Sequence, residues 1–278
     1  MSSIIQLNNT HVSVKIDTNY GGKIIEILNK KNNTNWVWFD EKNKHKFNPS
    51  KYSDYDSQWI GGYEELFPND KVETFNGLNA PDHGELWSSS WKTTEKTLTH
   101  LTLETTGYFS NAVIQKNFEL INNKLVVEYD INNIKFKEYL FKLHLALPIN
   151  NHKVEFEYDY FQKVDVNFGN IVKQNQINNF LSSVNANEGK NDFVYFYGVK
   201  KEVKIIDANK NICILDYDKK TLPYFWIFQS RGGWNNLNVN VLEPCNSGLK
   251  DLTAAVEKNM IYIPNNESFK TWYTIEVI

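Results

Sequence analysis

Three short segments of the 278-residue chain hold the side chains best suited to moving protons. The run Pro81-Asp82-His83-Gly84-Glu85-Leu86-Trp87 sets an imidazole beside two carboxylates and an indole. Imidazole donates or accepts a proton near neutral pH, and an indole face packs well against the C–H surface of a pyranose. A loop histidine is equally at home as an ordinary turn residue. In Phe141-Lys142-Leu143-His144-Leu145-Ala146-Leu147-Pro148, the apolar Phe141, Leu143, Leu145 and Leu147 alternate with Lys142, His144 and Ala146. As a strand, this segment turns His144 away from its apolar face. The plainer reading of His144 is a hydrogen-bonded histidine on a half-buried sheet surface. In the run from Leu237 to Gly248, Glu243 shares strand parity with Leu237, Val239 and Val241. If buried at the end of that row, its carboxyl is raised by desolvation or paired with a cation, and a base of moderately raised pKa suits proton abstraction. If the strand instead ends at Leu242, Glu243 turns into solvent.

Other chemistries find less support. His83-Gly84-Glu85 with Pro244-Cys245 invites comparison with the zinc deaminase pattern, but Gly248 stands where a second cysteine ligand belongs. Paired metal histidines at helical spacing, glycine-rich phosphate loops and a Gly-x-Ser-x-Gly elbow are absent from the sequence, so no metal is expected. Cys213 and Cys245 are too isolated for a disulfide framework and read as free thiols. All basic residues but Arg231 are lysine, so a bidentate guanidinium fork for an anion has one source. A formal charge of −3, with basic residues dispersed among acidic ones, argues against a nucleic-acid partner.

The elements that must position these residues read as strands. Short β-branched and aromatic stretches recur between Asn-rich turns, with almost no sustained helical period. Phe118 to Leu120 and Leu125 to Tyr129 flank Ile121-Asn122-Asn123-Lys124, and Val203 to Ile206 and Ile212 to Leu215 flank Ala208-Asn209-Lys210-Asn211. Both are predicted hairpins, because Asn tolerates positive φ in tight turns. The stretch from Asp40 to Trp87 breaks this rhythm, and a long irregular segment in a compact domain is either functional or a loosely ordered insertion. A hydrophobic fraction of 41% and an aromatic fraction of 14% supply a large core. No linker, repeat or low-complexity tract divides the chain, so residues 1–278 are expected to form one all-β domain. Met1 to Val12 carries no basic region followed by an apolar run, and about 18 consecutive apolar residues occur nowhere, so a cytoplasmic protein without a membrane partner is expected.

At the three proton-handling segments the chain resembles the aldose 1-epimerase (galactose mutarotase-like) family. The resemblance runs nearly end to end: Asn19-Tyr20-Gly21-Gly22 with the strand that follows, Gly61-Gly62 through Leu66-Phe67-Pro68-Asn69, Asp82 to Trp87, His144, Tyr224 to Trp234, Leu242-Glu243-Pro244-Cys245, and Ile261 to Ser268. It implies a β-supersandwich of large antiparallel sheets with an open sugar-binding cleft and a cofactor-free reaction. His144 matches the family's general acid, which protonates the ring oxygen. Glu243 matches the base at the C1 hydroxyl, and His83 matches the histidine that hydrogen-bonds near both. The expected reaction interconverts the α and β anomers of a free aldose by opening and reclosing the hemiacetal. Asn69, Trp87, Trp226, Gln229 and Arg231 are the expected substrate-binding residues. Galactose-specific members carry an arginine where this chain reads Asn69-Asp70-Lys71, and Phe168 to Asp192 offers no match to the aspartate that they use. A non-catalytic carbohydrate-binding protein and a hexose 6-phosphate epimerase are the alternatives, and either a monomer or a homodimer is compatible with the sequence.

Overall fold

A computed structural model describes residues 3–44, 48–75, 77–149, 152–164, 171–172, 188–264 and 268–278. Most of Phe168 to Asp192, and residues 265–267 of the Ile261 to Ser268 motif, lie outside them.

Alternation along the strands dictates two facing sheets. An 11-stranded antiparallel sheet runs, from one edge, Ile4–Asn8, Val12–Asp17, Lys23–Asn29, Tyr63–Leu66, Lys142–Pro148, Asn238–Cys245, Tyr224–Arg231, Lys190–Tyr197, Tyr160–Val164 and Ile171–Val172, with Thr34–Asn35 paired to Lys23–Asn29. An 8-stranded sheet runs Lys153–Glu155, Val203–Ile206, Ile212–Tyr217, Phe269–Val277, Lys124–Asn132, Val113–Ile121, His100–Thr106 and Lys92–Lys96. The expected all-β sandwich is therefore the observed architecture. Leu143, Leu145, Ile227 and Leu242 of the first sheet meet Ile114, Phe118, Val127 and Tyr273 of the second in one apolar core. Each such side chain taken out of water contributes roughly 1.5–3 kcal/mol before entropy is charged against it.

Both expected hairpins form. Val113–Ile121 pairs with Lys124–Asn132 across the two-residue turn Asn122-Asn123, where Asn122 takes φ 54°. Val203–Ile206 pairs with Ile212–Tyr217, but the positive φ of that turn falls on Lys210, at 68°, and not on a flanking Asn. The Asp207 carboxylate holds this turn by accepting from the backbone N–H of Asn209 and Asn211.

The stretch from 40 to 87 is more regular than its sequence implies. It contains a short helix at Tyr55–Gln58, capped by Asp54, a hairpin of Thr74–Phe75 with Leu78–Asn79, and a 3-10 turn at Leu86–Ser88. It also contributes the strand Tyr63–Leu66, which fills the middle of the large sheet beside Lys142–Pro148. That strand is buried on both faces, so it lacks the hydrophobic alternation by which half-buried strands are recognised. Its two glutamates face opposite ways: Glu65 meets Lys116 and Tyr129 between the sheets, and Glu64 meets Lys23 and Tyr55 on the outer side.

Candidate active site

The outer face of the large sheet, where Lys142–Pro148 and Asn238–Cys245 run side by side, is the floor of a cavity of about 230 Å³. Lys142, His144, Val241 and Glu243 rise from that floor. Leu143, Leu145 and Leu242, one residue out of phase, point into the core, so the core fixes which face the polar residues take. Tyr55, Asp56, Trp59, Asp70, Lys71 and His83 from the 40–87 stretch form one wall. Phe193, Phe228, Trp234 and Lys250 complete the lining.

Glu243 is 2% exposed. Burial pushes its carboxyl up to about 7, even though the Lys142 ammonium beside it pulls the other way. Lys142 is held between two carboxylates, 2.5 Å from Asp70 Oδ1 and 2.6 Å from Glu243 Oε2, and its ammonium lies 4.7 Å from the centre of the Trp226 ring. Burial opposes the lysine's charge, but Asp70 and Glu243 outweigh it and raise its pKa. Asp70 shows the converse balance: burial disfavours its charge, yet Lys142 and His83 hold it below the ordinary carboxylate range.

His144 stands next to this pair, its Nε2 3.9 Å from Glu243 Oε1. Its Nδ1 lies 3.2 Å from the Tyr55 hydroxyl, which donates to Glu64 Oε1 at 2.6 Å. Glu64 also accepts from Trp59 Nε1 and is ion-paired with Lys23 at 2.6 Å. Burial, reinforced by Lys142, His83 and Lys23, lowers the His144 pKa well below its ordinary value and keeps the ring neutral.

His83 enters from the loop above. The chain turns sharply there, with φ 54° at His83 and 74° at Gly84, and a Cβ on Gly84 would lie 2.2 Å from the carbonyl oxygen of Phe67. Only glycine allows this close approach. The imidazole stacks on the Tyr55 ring at 4.1 Å, and its Nδ1 meets Asp82 Oδ1 at 2.9 Å. Burial opposes protonation of His83, but Asp82 and Asp70 outweigh it and raise its pKa. The second Asp82 oxygen accepts the Tyr55 backbone N–H, tying this loop to the short helix.

His83, His144 and Glu243 thus line one cavity, while the five expected substrate-binding residues do not line it. Asn69 is buried and spends its amide on the carbonyls of Lys71 and Pro81. Trp87 donates to the Asp82 carbonyl and packs its edge on Tyr55, supporting the wall from behind. Trp226 faces the same side as Glu243 but is covered by Lys142 and stacked on Tyr195. Gln229 and Arg231 have the parity of core-facing Ile227, opposite to cavity-lining Phe228. Arg231 is committed to Glu188, Asp192 and Gln229. Sequence reasoning missed Tyr55, Trp59, Glu64 and the Asp70–Lys142 pair as site residues. Lys142 had a legible signal, since it shares the face of His144; Tyr55, Trp59 and Glu64 lie where no periodicity marks them. Among the described residues, no group of three or more His, Cys, Asp or Glu side chains is arranged to hold a metal ion.

No protein-family model matches the sequence, and no curated protein matches it. Solved structures do. A galactose mutarotase-like protein from Lactobacillus casei superposes with a TM-score of 0.71 over 99% of this chain and 100% of its own, at 13% identity. A candidate aldose 1-epimerase from Escherichia coli K12 gives 0.72 over 99% and 98%, at 14% identity. An aldose epimerase homologue from C. elegans gives 0.68 over 100% and 99%, at 13% identity. The chain therefore has the galactose mutarotase-like sandwich fold.

Proposed function

We propose that this protein is an aldose 1-epimerase that interconverts the anomers of a free, neutral aldose, with residues 1–278 acting as one domain. The observation that carries the reading is the pair His144 and Glu243, side by side at 3.9 Å on adjacent strands at the floor of the cavity. The ring oxygen and the anomeric hydroxyl of an aldose share one carbon, so two neighbouring proton carriers can each reach one of them. One takes the hydroxyl proton, the other protonates the ring oxygen, and the C1–ring oxygen bond opens to a free carbonyl. Rotation about C1–C2 presents the other carbonyl face, and reclosure with the protons returned gives the opposite anomer. Each positioned proton transfer is worth roughly 10²–10⁴-fold. His83, its pKa raised by Asp82, would orient the same oxygens from above. Trp59, Trp234, Phe193 and Phe228 supply apolar faces for the C–H surface of a sugar. The named activities of the structural neighbours agree with this reading.

The test is the rate of anomerisation of glucose, galactose and xylose followed by NMR. Acceleration over buffer that is lost in Glu243→Gln is the expected result. Sugar binding without acceleration for any aldose would make the protein a non-catalytic carbohydrate binder. One observation favours a second reading: Lys71 and Lys250 line the cavity, and a sugar 6-phosphate would present its dianion to them.

A further inference from the structure

The two carboxylate oxygens of Glu243 have different surroundings. Lys142 and His144 lie two residues apart on one strand, so both side chains rise from the same face. The register that sets Lys142 opposite Cys245 and Leu145 opposite Leu242 brings both against the strand of Glu243. The Lys142 ammonium reaches Glu243 Oε2 at 2.6 Å, and that oxygen is shut off from solvent. Oε1 is the oxygen that faces His144 Nε2, 3.9 Å away. A terminal carboxylate torsion is broad and roughly two-fold, so without a fixed partner the two oxygens exchange places. The ammonium removes that equivalence. Its own place is fixed in turn: it lies over the Trp226 ring at 4.7 Å and compensates Asp70 Oδ1, also shut off from solvent, at 2.5 Å. Asp70 sits on braced backbone. The Asn69 amide donates to the carbonyls of Lys71 and Pro81, Lys71 pairs with Asp251 at 2.6 Å, and the Leu140 N–H donates to the Pro68 carbonyl. Because Asn69 holds Pro81, two residues before His83, the same contacts register the His83 wall against the floor.

We propose that Lys142 and Asp70 are positioning residues that clamp Glu243 by Oε2, so that Oε1 is the oxygen that exchanges a proton with the sugar. This role rests on the epimerase reading of the same cavity. It holds whichever of His144 and Glu243 starts with the proton, because Oε1 is the oxygen presented in either case. A lysine that only neutralised two buried carboxylates would be expendable once its partner charge was removed with it. A lysine that holds the reacting carboxylate is not, since a displacement of about 1 Å at such a group costs about 10²-fold in rate. Burial raises the Glu243 carboxyl and Lys142 lowers it, so loss of the ammonium also registers as a further rise.

Two variants of the full chain separate the roles. Lys142→Met removes the clamp but strands two buried carboxylates, so it loses stability as well as position; Lys142→Met with Asp70→Asn removes both charges of the pair and keeps their shapes. Anomerisation is followed across pH, with kcat taken from the plateau so that a displaced midpoint is not read as a lost rate. Lys142→Met should lower plateau kcat by about 10²-fold and leave KM within about threefold of the unsubstituted chain. The Glu243 midpoint, read without sugar by 13C NMR of glutamate-labelled chain and assigned by its loss in Glu243→Gln, should rise by about one unit or more in Lys142→Met. The double variant should regain much of the lost resistance to urea, while its kcat stays at least about tenfold low. Recovery of full kcat together with stability would show that Lys142 only neutralises its neighbours, and the positioning role would be overturned. A raised KM with unchanged kcat in Lys142→Met would overturn it too, by making the lysine a sugar ligand. So would an unmoved Glu243 midpoint, which would mean that the ammonium does not hold that carboxylate. Because the midpoint is read without sugar, failure of the unsubstituted chain on every aldose would sink the epimerase reading separately from the hold of Lys142 on Glu243.

Discussion

Glu243 and His144 are buried among the same neighbours that hold them in place, and that coupling sets their expected pH behaviour. The proposed reaction needs one transferable proton on the pair; that proton would be lost as pH rises through the Glu243 carboxyl at about 7, and a second gained only as pH falls into the depressed range of His144. The kcat/KM for anomerisation should therefore hold level below neutrality and fall about tenfold per pH unit once well above it. A rate that climbs through that range would require an ionised Glu243 beside a neutral His144. Replacing Glu243 by Gln or His144 by Asn should lower kcat by about 10²-fold or more with the circular dichroism spectrum intact. Near-normal turnover in Glu243→Gln would remove that residue from the reaction. At this scale the sequence was informative where parity was strict: His144 is read directly from its alternation with Leu143 and Leu145, whereas Glu243 was legible only as the end of the apolar row of Val239 and Val241, a row that the fold turns to the cavity side while Leu242 enters the main core. It was uninformative where side chains act through partners distant in the chain. Asp70 and Lys142 are 2.5 Å apart and 72 positions separated, a meeting that no local pattern announces.

Elements were legible in proportion to their exposure. Hairpins with one wet face display alternation, whereas Tyr63–Leu66, dry on both faces and carrying two charges, reads as an interruption. Those charges are tolerated because each is neutralised locally. Between the sheets Glu65 accepts from Lys116 Nζ at 2.5 Å and from the Tyr129 hydroxyl, and Lys116 also donates to the Gly22 carbonyl at 3.1 Å. Burial pushes the Glu65 carboxyl up against the pull of Lys116, so the pair is held together at a substantial desolvation cost. Removing one partner alone should thus be worse than removing both. Lys116→Met is expected to lower unfolding free energy by about 3–5 kcal/mol, and adding Glu65→Leu should restore a large part of it. Urea denaturation of the two variants checks this; additive losses in the double variant would mean that the two residues are not coupled.

The cavity as a whole depends on the 40–87 stretch folding back over the sheet, and a sequence can announce such a segment without showing where its charges end up. Read along the chain, Asp70, Glu73, Asp82 and Glu85 form an acidic loop whose field would repel an anion. In the fold that field is largely spent: Asp70 pairs with Lys142, Asp82 with His83, Glu73 accepts the Leu252 backbone N–H, and Glu85 accepts those of Phe109 and Ser110. Three of the cations are spent in the same way, and Lys250 also lines the cavity. Lys142 is shared between two carboxylates, Lys71 is held by Asp251 at 2.6 Å, and the guanidinium of Arg231 is engaged away from the cavity. Substrate charge is therefore decided by what a dianion would have to displace. To bind a 6-phosphate at the Lys71 wall, the lysine must leave Asp251, and no guanidinium lines the cavity to grip the phosphate oxygens in its planar fork. A neutral aldose needs only hydrogen bonds and the aromatic faces already present. Neutral aldoses should accordingly show at least about tenfold higher kcat/KM than their 6-phosphates, about 1.4 kcal/mol of discrimination. Glucose and glucose 6-phosphate compared in one NMR assay decide the matter. If the phosphorylated sugar is preferred and Lys71→Ala abolishes that preference, the lysine wall is the phosphate subsite and the neutral-sugar reading is wrong.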